Sequence, residues 1–86
     1  MDYRLLVDFE VLYFMETLKK SEQKKLRNRF IEIQSFPGQY SDFKEEDSNG
    51  RLVDIHVFGK YAIKFWEDSA DKHLKILDVH FADKAQ

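Results

Sequence analysis

The sequence of 86 residues contains no cysteine. This absence excludes the disulfide framework of small secreted domains, thiolate metal sites and cysteine nucleophiles. Glycine and proline are scarce, with three copies and one copy, which leaves little room for flexible linkers. No apolar run approaches the roughly 20 residues that a membrane-spanning helix needs. We therefore expect a single domain over residues 1–86, located in the cytoplasm.

A strong excess of charge of either sign is also missing. Fourteen Lys and Arg stand against sixteen Asp and Glu, for a formal net charge of −2. A dedicated nucleic-acid-binding protein usually carries a basic excess, because neutralised phosphates supply most of its affinity. The charges are nevertheless clustered, since residues 19–29 are mainly basic and residues 42–47 mainly acidic. A local basic ridge at 19–29 and an ordinary solvated surface are both compatible with this pattern.

Aromatic residues make up 15% of the chain and hydrophobic residues 43%, enough for a globular core. The first half of the chain is typical of one strand followed by two helices. Residues 3–7 alternate as a strand does, and Asp8 stands where a helix N-cap is expected. Apolar residues then recur at spacings of three and four. We expect Lys19 and Lys20 to close the first helix, Ser21 to cap the second, and Pro37 to end it.

The second half of the chain has the patterns of strands and turns. Residues 39–50 are polar and acidic, which predicts a loop that ends in a turn. A partly ordered strand near Tyr40 and Phe43 is an alternative that the sequence does not decide. Residues 53–58 and 61–66 alternate on either side of Gly59-Lys60, which predicts a β-hairpin. Residues 74–81 alternate again and predict a final strand. The expected fold class is therefore α+β, in the order β-α-α-β-β-β.

A small, mostly antiparallel sheet of this kind needs one apolar face covered, and the helical hairpin is the available cover. We expect one face of the hairpin and final strand to meet the helices: Val53, Ile55, Val57, Tyr61, Ile63, Phe65, Leu77, Val79 and Phe81. The open face would then carry the residues that alternate with them: Asp54, His56, Phe58, Lys64, Trp66, Asp78 and His80. Several of these side chains are capable of chemistry.

The order of elements and four stretches of sequence resemble the RelE/ParE superfamily, the toxins of bacterial type II toxin–antitoxin systems. The stretches are LKKSEQKKLRNRFIEIQSFPG, the Gly50-Arg51 entry into a strand, IHVFGKYAIKFW, and HLKILDVHFADK. The resemblance covers nearly the whole chain. It implies a helical hairpin packed on one face of a small sheet, and a cognate antitoxin as partner.

The resemblance implies two alternative activities. RelE-like members are ribosome-dependent endoribonucleases that cut mRNA with basic residues on the open sheet face, often together with a tyrosine near the C-terminus. ParE-like members lack that set and act on DNA gyrase. This chain has Ala62 where the family's mid-strand arginine is expected, and no tyrosine follows Tyr61. Inhibition of translation by mRNA cleavage is the leading hypothesis, and the alternative is a non-catalytic toxin or degenerate toxin-fold protein that only binds a protein partner.

RNA cleavage by attack of the 2′-hydroxyl requires a base, an acid and positive charge on the phosphate. His56 and His80 have the right intrinsic chemistry for proton transfer, and Lys64 could hold phosphate. These three residues form the candidate catalytic set. Candidate substrate-binding residues are Arg51, Lys60 and Trp66, the last by stacking on a base. The histidines could instead be ordinary exposed residues that pair with nearby aspartates, and the same face could bind a protein; no metal site and no cofactor are expected.

Overall fold

The computed structural model describes residues 3–82. Two helices, α1 (Phe9–Glu16) and α2 (Lys20–Ser35), and a short 3₁₀ helix (Pro37–Tyr40) accompany five strands. The strands are β1 (Arg4–Val7), β2 (Phe43–Glu46), β3 (Leu52–Phe58), β4 (Tyr61–Asp68) and β5 (His73–Phe81). Among the described residues, neither helix is both long and apolar enough to cross a bilayer.

The five strands form one sheet in the order β1-β5-β4-β3-β2. β1 pairs with β5 in parallel, and the other pairings are antiparallel. The predicted α+β class with a mostly antiparallel sheet is therefore confirmed. The sheet has one strand more than the predicted order, because part of the acidic segment expected to be a loop pairs with β3 as the edge strand β2.

The helix boundaries differ from the prediction in the connection between α1 and α2. Asp8 caps α1 as expected, since its carboxylate accepts from the Glu10 amide at 3.2 Å. α1 nevertheless ends at Glu16, where the Thr17 hydroxyl donates to the Phe14 carbonyl at 2.6 Å. α2 already begins at Lys20, so Lys19 and Lys20 do not close the first helix and Ser21 does not cap the second.

Both helices pack on the same face of the sheet. The core between helices and sheet consists of buried apolar side chains from α1, α2, β4 and β5: Val11, Met15, Leu26, Phe30, Ile33, Tyr61, Ile63, Phe65, Leu74, Ile76 and Val79. α2 ends before Pro37, because a residue that precedes proline is disfavoured in helical geometry. Gly59 adopts a φ of 60° in the two-residue turn between β3 and β4, which a residue without a Cβ reaches at no steric cost.

β3 faces the opposite way from the prediction. Phe58 pairs with Tyr61 and His56 pairs with Ile63, and paired residues of antiparallel strands lie on the same face. Tyr61 and Ile63 belong to the core. Asp54, His56 and Phe58 therefore face the helices, whereas Val53, Ile55 and Val57 lie on the other face, which we call the open face. The physical reason is that the strand alternates, so a shift of one residue exchanges its two faces completely.

A β-bulge changes the alternation of β5 as well. Lys64 pairs with Asp78, but the next residue, Phe65, pairs with Ile76, so Leu77 is an extra residue in β5. Because of the extra residue, the side chains on one side of the bulge point to the opposite face from the one that simple alternation predicts. Ile76 consequently belongs to the core, and the prediction that Leu77 does so is wrong. Val79 faces the helices as expected.

Candidate functional site

His56 lies beneath α2 and not on the open face, so the sequence-based placement of this residue is wrong. The residue is only 7% exposed. Its Nδ1 lies 3.0 Å from Oδ2 of Asp42, and its Nε2 lies 2.8 Å from Nη1 of Arg29 on α2. The imidazole ring also contacts the rings of Tyr40 and Phe58, with centroids 5.1 and 6.2 Å away.

These contacts assign the hydrogen-bonding roles of the two ring nitrogens of His56. A guanidinium can only donate hydrogen bonds, so Nε2 of His56 accepts from Arg29 and Nδ1–H donates to Asp42. The Asp42 carboxylate also accepts from the Val57 amide at 2.7 Å. That amide lowers the pKa of Asp42 most, burial opposes the shift, and the hydrogen bond to His56 lowers it further. His56 is thus a doubly bonded structural residue without a free nitrogen for substrate.

Arg29 has a structural role that the sequence did not reveal, since it was predicted only as part of the basic ridge at 19–29. Its guanidinium carbon lies 4.2 Å from the Phe58 ring centroid and 5.0 Å from that of Tyr40. Its Nε is 2.8 Å from Oε1 of Glu32, three residues further along the helix. Arg29 therefore anchors α2 to the sheet. The Glu32 spacing does not separate Arg29 from the lysines around it, since exposed Lys25 makes the same three-residue pair with Glu22.

Lys64 and His80 do lie on the open face, on the neighbouring strands β4 and β5. Lys64 pairs with Asp78 across β4 and β5, and Ala62 pairs with His80. Nδ1 of His80 is 2.7 Å from Oδ2 of Asp78, and both side chains are about half exposed, at 55% and 44%. Nζ of Lys64 is 3.4 Å from Oε2 of Glu45 on β2. The result is an exposed carboxylate–imidazole pair on β5, whereas the Lys64 ammonium extends across β3 towards β2.

Trp66 and Arg51 form a second group on the open face. Trp66 lies on the same face of β4 as Lys64, two residues away. The Arg51 guanidinium carbon lies 4.3 Å from the Trp66 ring centroid, and Nζ of Lys75 lies 5.3 Å from it. Both cations are held by carboxylates, since Nη2 of Arg51 is 2.9 Å from Asp47 and Lys75 is 3.3 Å from Asp68.

Lys60 is separate from both groups. It occupies the β3–β4 turn, where its Nζ lies 5.8 Å from the Tyr61 ring. Tyr61 is a core residue on the helix side, so Lys60 borders a cleft that also includes Glu22 and Lys25 of α2. The structure therefore brings Arg51 together with Trp66 and places Lys64 and His80 on the same face, but it separates Lys60 and His56 from them.

One further group of metal-ligating side chains appears among residues 3–82. Asp68, Asp71 and His73 lie near one another at the β4–β5 turn. No metal site was expected from the sequence, because His56 and His80 and the acids near them have no recognised ligand spacing. The family's C-terminal tyrosine position and the residues Asp83 and Lys84 of the last matching stretch lie outside the described residues.

The sheet, the two helices on one face and the open opposite face together define the fold of the RelE toxins, and the predicted RelE/ParE-like fold is confirmed. A chain of the archaeal RelE–RelB complex from Pyrococcus horikoshii OT3 superposes with a TM-score of 0.79 over 99% of this chain and 100% of its own, at 20% identity. The isolated E. coli RelE toxin superposes with a TM-score of 0.74 over 98% of this chain and 88% of its own, at 13% identity. No protein-family model matches the sequence, and no characterised protein matches it at a significant level.

Proposed function

We propose that this chain is the toxin component of a type II toxin–antitoxin system and that it inhibits translation by cleaving mRNA at its open face. The observation that carries the proposal is the exposed Asp78–His80 pair on the face of a RelE-type fold that the helices leave uncovered, with Lys64 opposite Asp78 on the neighbouring strand. A protein partner of the antitoxin kind is part of the proposal, since the similar Pyrococcus protein is found in a RelE–RelB complex.

The chemistry assigned to this group is attack of a ribose 2′-hydroxyl on the adjacent phosphate. With Nδ1–H of His80 donating to Asp78 at 2.7 Å, Nε2 carries the lone pair and can take the 2′-hydroxyl proton. The bond from phosphorus to the 2′-oxygen forms as the bond to the 5′-oxygen breaks, and water supplies a proton to the leaving oxygen. Lys64 would stabilise the negative charge that grows on the phosphate. His56 has no role in this step.

The second open-face group would hold a neighbouring nucleotide. An aromatic ring such as Trp66 stacks on any base, and stacking of this kind contributes roughly 1–3 kcal/mol per base. Arg51, already positioned over that ring, would extend the stacking surface and supply positive charge. Lys60 lies in the β3–β4 turn, away from Arg51 and Trp66. In this proposal it contacts only a flanking part of the RNA backbone.

The test is induced expression in a bacterial host, with growth and mRNA integrity followed together. We expect growth arrest with the wild-type chain and relief of arrest with His80→Ala or Lys64→Ala. Lys24→Ala, at an exposed position of α2, is the matched control and should arrest growth as wild type does. Coexpression of a short neighbouring reading frame that encodes the antitoxin should restore growth. Arrest with intact mRNA would contradict the cleavage proposal.

A second function, binding of a protein partner without catalysis, is favoured by a different observation. The open-face cations are already ion-paired, Lys64 with Glu45, Lys75 with Asp68 and Arg51 with Asp47. A phosphate would have to displace these carboxylates. The same region also exposes apolar side chains, among them Phe43 and Val57. A ParE-like inhibitor of DNA gyrase would use such a surface, and loss of gyrase supercoiling activity in the presence of the purified chain would identify it.

A further inference from the structure

Three potential metal ligands meet where β4 turns into β5. Asp68 is the last residue of β4, Asp71 belongs to the turn, and His73 is the first residue of β5. One ligand atom from each residue lies within 4.8 Å of the other two. Because Asp68 and His73 are paired across the hairpin, the backbone already brings two of the three ligands together.

His73 carries a solvent-shielded polar atom beside this group. Its Nδ1 is shielded from solvent and has no hydrogen-bond partner among the described residues. A buried polar atom of this kind is costly unless something pairs with it, and a neutral imidazole nitrogen is the commonest metal ligand in proteins. Asp68 is 8% exposed. Burial raises its pKa, but hydrogen bonds from the Asp71 amide and from Lys75 outweigh burial and keep the pKa of this carboxyl below its ordinary value.

We propose that Asp68, Asp71 and His73 bind a divalent transition-metal ion of the Zn²⁺ type. One imidazole nitrogen and two carboxylate oxygens suit such an ion, whereas Mg²⁺ and Ca²⁺ prefer oxygen ligands alone. Tetrahedral zinc with bonds of 2.0–2.2 Å places its ligand atoms roughly 3.3 Å apart. The three atoms must therefore approach one another somewhat, and Asp71 can supply this movement because it is exposed in the turn.

Binding of the ion would change the contacts of Lys75. The ammonium of Lys75 now lies 3.3 Å from Oδ2 of Asp68 and 5.3 Å from the Trp66 ring centroid. A metal ion on Asp68 would displace this ammonium and so alter the surroundings of Trp66. Because the chain contains a single tryptophan, its fluorescence reports on the site directly. The proposal is independent of the RNA-cleavage proposal.

The test is a titration of the full chain with Zn²⁺, followed by tryptophan fluorescence and by thermal unfolding. We expect a saturable fluorescence change and a rise in Tm of roughly 10–20 °C when free zinc reaches about 100 times Kd. His73→Ala and the exposed-site variant Asp71→Asn should each abolish both responses. His80→Ala is the matched control, because it removes a different histidine from the same strand, one that is bonded to Asp78, and it should leave both responses unchanged.

A fourth variant tests the position at which the ion binds. Arg4 lines the same cleft as Asp71 and His73, and a nearby positive charge weakens cation binding. Arg4→Ala should therefore tighten zinc binding. The proposal is overturned if wild type gives no saturable response, if His73→Ala or Asp71→Asn responds as wild type does, if His80→Ala loses the response, or if Arg4→Ala leaves the affinity unchanged or weaker.

Discussion

The three histidines of this chain occupy three different environments, and the environment decides what each can do. His56 is buried and bonded through both ring nitrogens. His80 is half exposed and bonded to a single carboxylate. His73 has a shielded nitrogen without a hydrogen-bond partner among residues 3–82. The same residue type is therefore a structural anchor, a candidate proton-transfer group and a candidate metal ligand.

The contrast between His56 and His80 gives a prediction about stability. His56→Ala should lower the free energy of unfolding by about 2–4 kcal/mol, because it leaves a cavity and removes the hydrogen-bond partner of Arg29 and Asp42. His80→Ala, at a half-exposed position, should change it by no more than about 0.5 kcal/mol. Urea denaturation of the two variants beside wild type measures both values. Equal losses in the two variants would contradict the assignment of these residues to opposite faces.

At the scale of secondary-structure elements, the parts that local chemistry determines were predictable. Asp8 has the side chain of an N-cap, and it caps α1. The spacing of Leu26, Phe30 and Ile33 predicts the buried stripe of α2, and all three are buried there. Gly59 marks the tight turn between β3 and β4, which begins and ends where expected.

The facing of β3 could not be predicted from its own residues. Val53 and Ile55 look like the core side, and both are indeed buried, at 0% and 4% exposure. They lie on the open face, however. The polar residues of β3 can face the helices instead because residues distant in sequence form hydrogen bonds with them. Asp54 is bonded by Lys44 at 2.6 Å, and His56 by Arg29. The alternation itself is the same for either facing.

The bulge in β5 limited the prediction of the candidate site in the same way. Nothing in residues 74–81 marks Leu77 as the extra residue. The alternation therefore assigns Ile76 and His80 to one face, although Ile76 is in the core. Lys64 and His80 were placed on the open face correctly, but the contact of the Lys64 ammonium with Glu45 on β2 depends on strand pairings that only the sheet reveals.

A hydrogen bond between α2 and β4 gives a prediction about pH. The Tyr61 hydroxyl donates to Oε1 of Glu22 at 2.7 Å, and burial, together with this bond, raises the pKa of Tyr61 to about 12. In the unfolded chain the hydroxyl ionises near 10. The folded state therefore retains a proton that the unfolded state loses, and stability falls as pH rises from about 10 towards 12.

Tyr61→Phe removes this ionisation. We expect the free energy of unfolding of the variant to fall less steeply between pH 10 and 12 than that of wild type. Denaturant titrations at a series of alkaline pH values measure the two slopes. Tyr13→Phe, at an exposed position of α1, is the control and should keep the wild-type slope. If the pH slope of Tyr61→Phe equals that of wild type, the assignment of a shielded Tyr61–Glu22 hydrogen bond between α2 and β4 is wrong.

At the scale of the whole molecule, the helices and the open face have separate tasks. Helices α1 and α2 cover one side of the sheet and build the core. The other side keeps its charged groups accessible, with Lys64 and His80 at adjacent strand positions. The net charge of −2 gives little long-range attraction for RNA, so the proposed RNA recognition would depend on local groups.

The most direct measurement is cleavage of ribosome-bound mRNA by the purified chain under single-turnover conditions. The proposed function predicts cleavage by wild type and a loss of about 10²–10⁴-fold in rate for His80→Ala, the usual contribution of one proton-transfer group. His56→Gln, assayed where it remains folded, should cleave at close to the wild-type rate, since His56 faces the helices. Absence of cleavage by wild type, or equal rates for wild type and His80→Ala, would contradict the account.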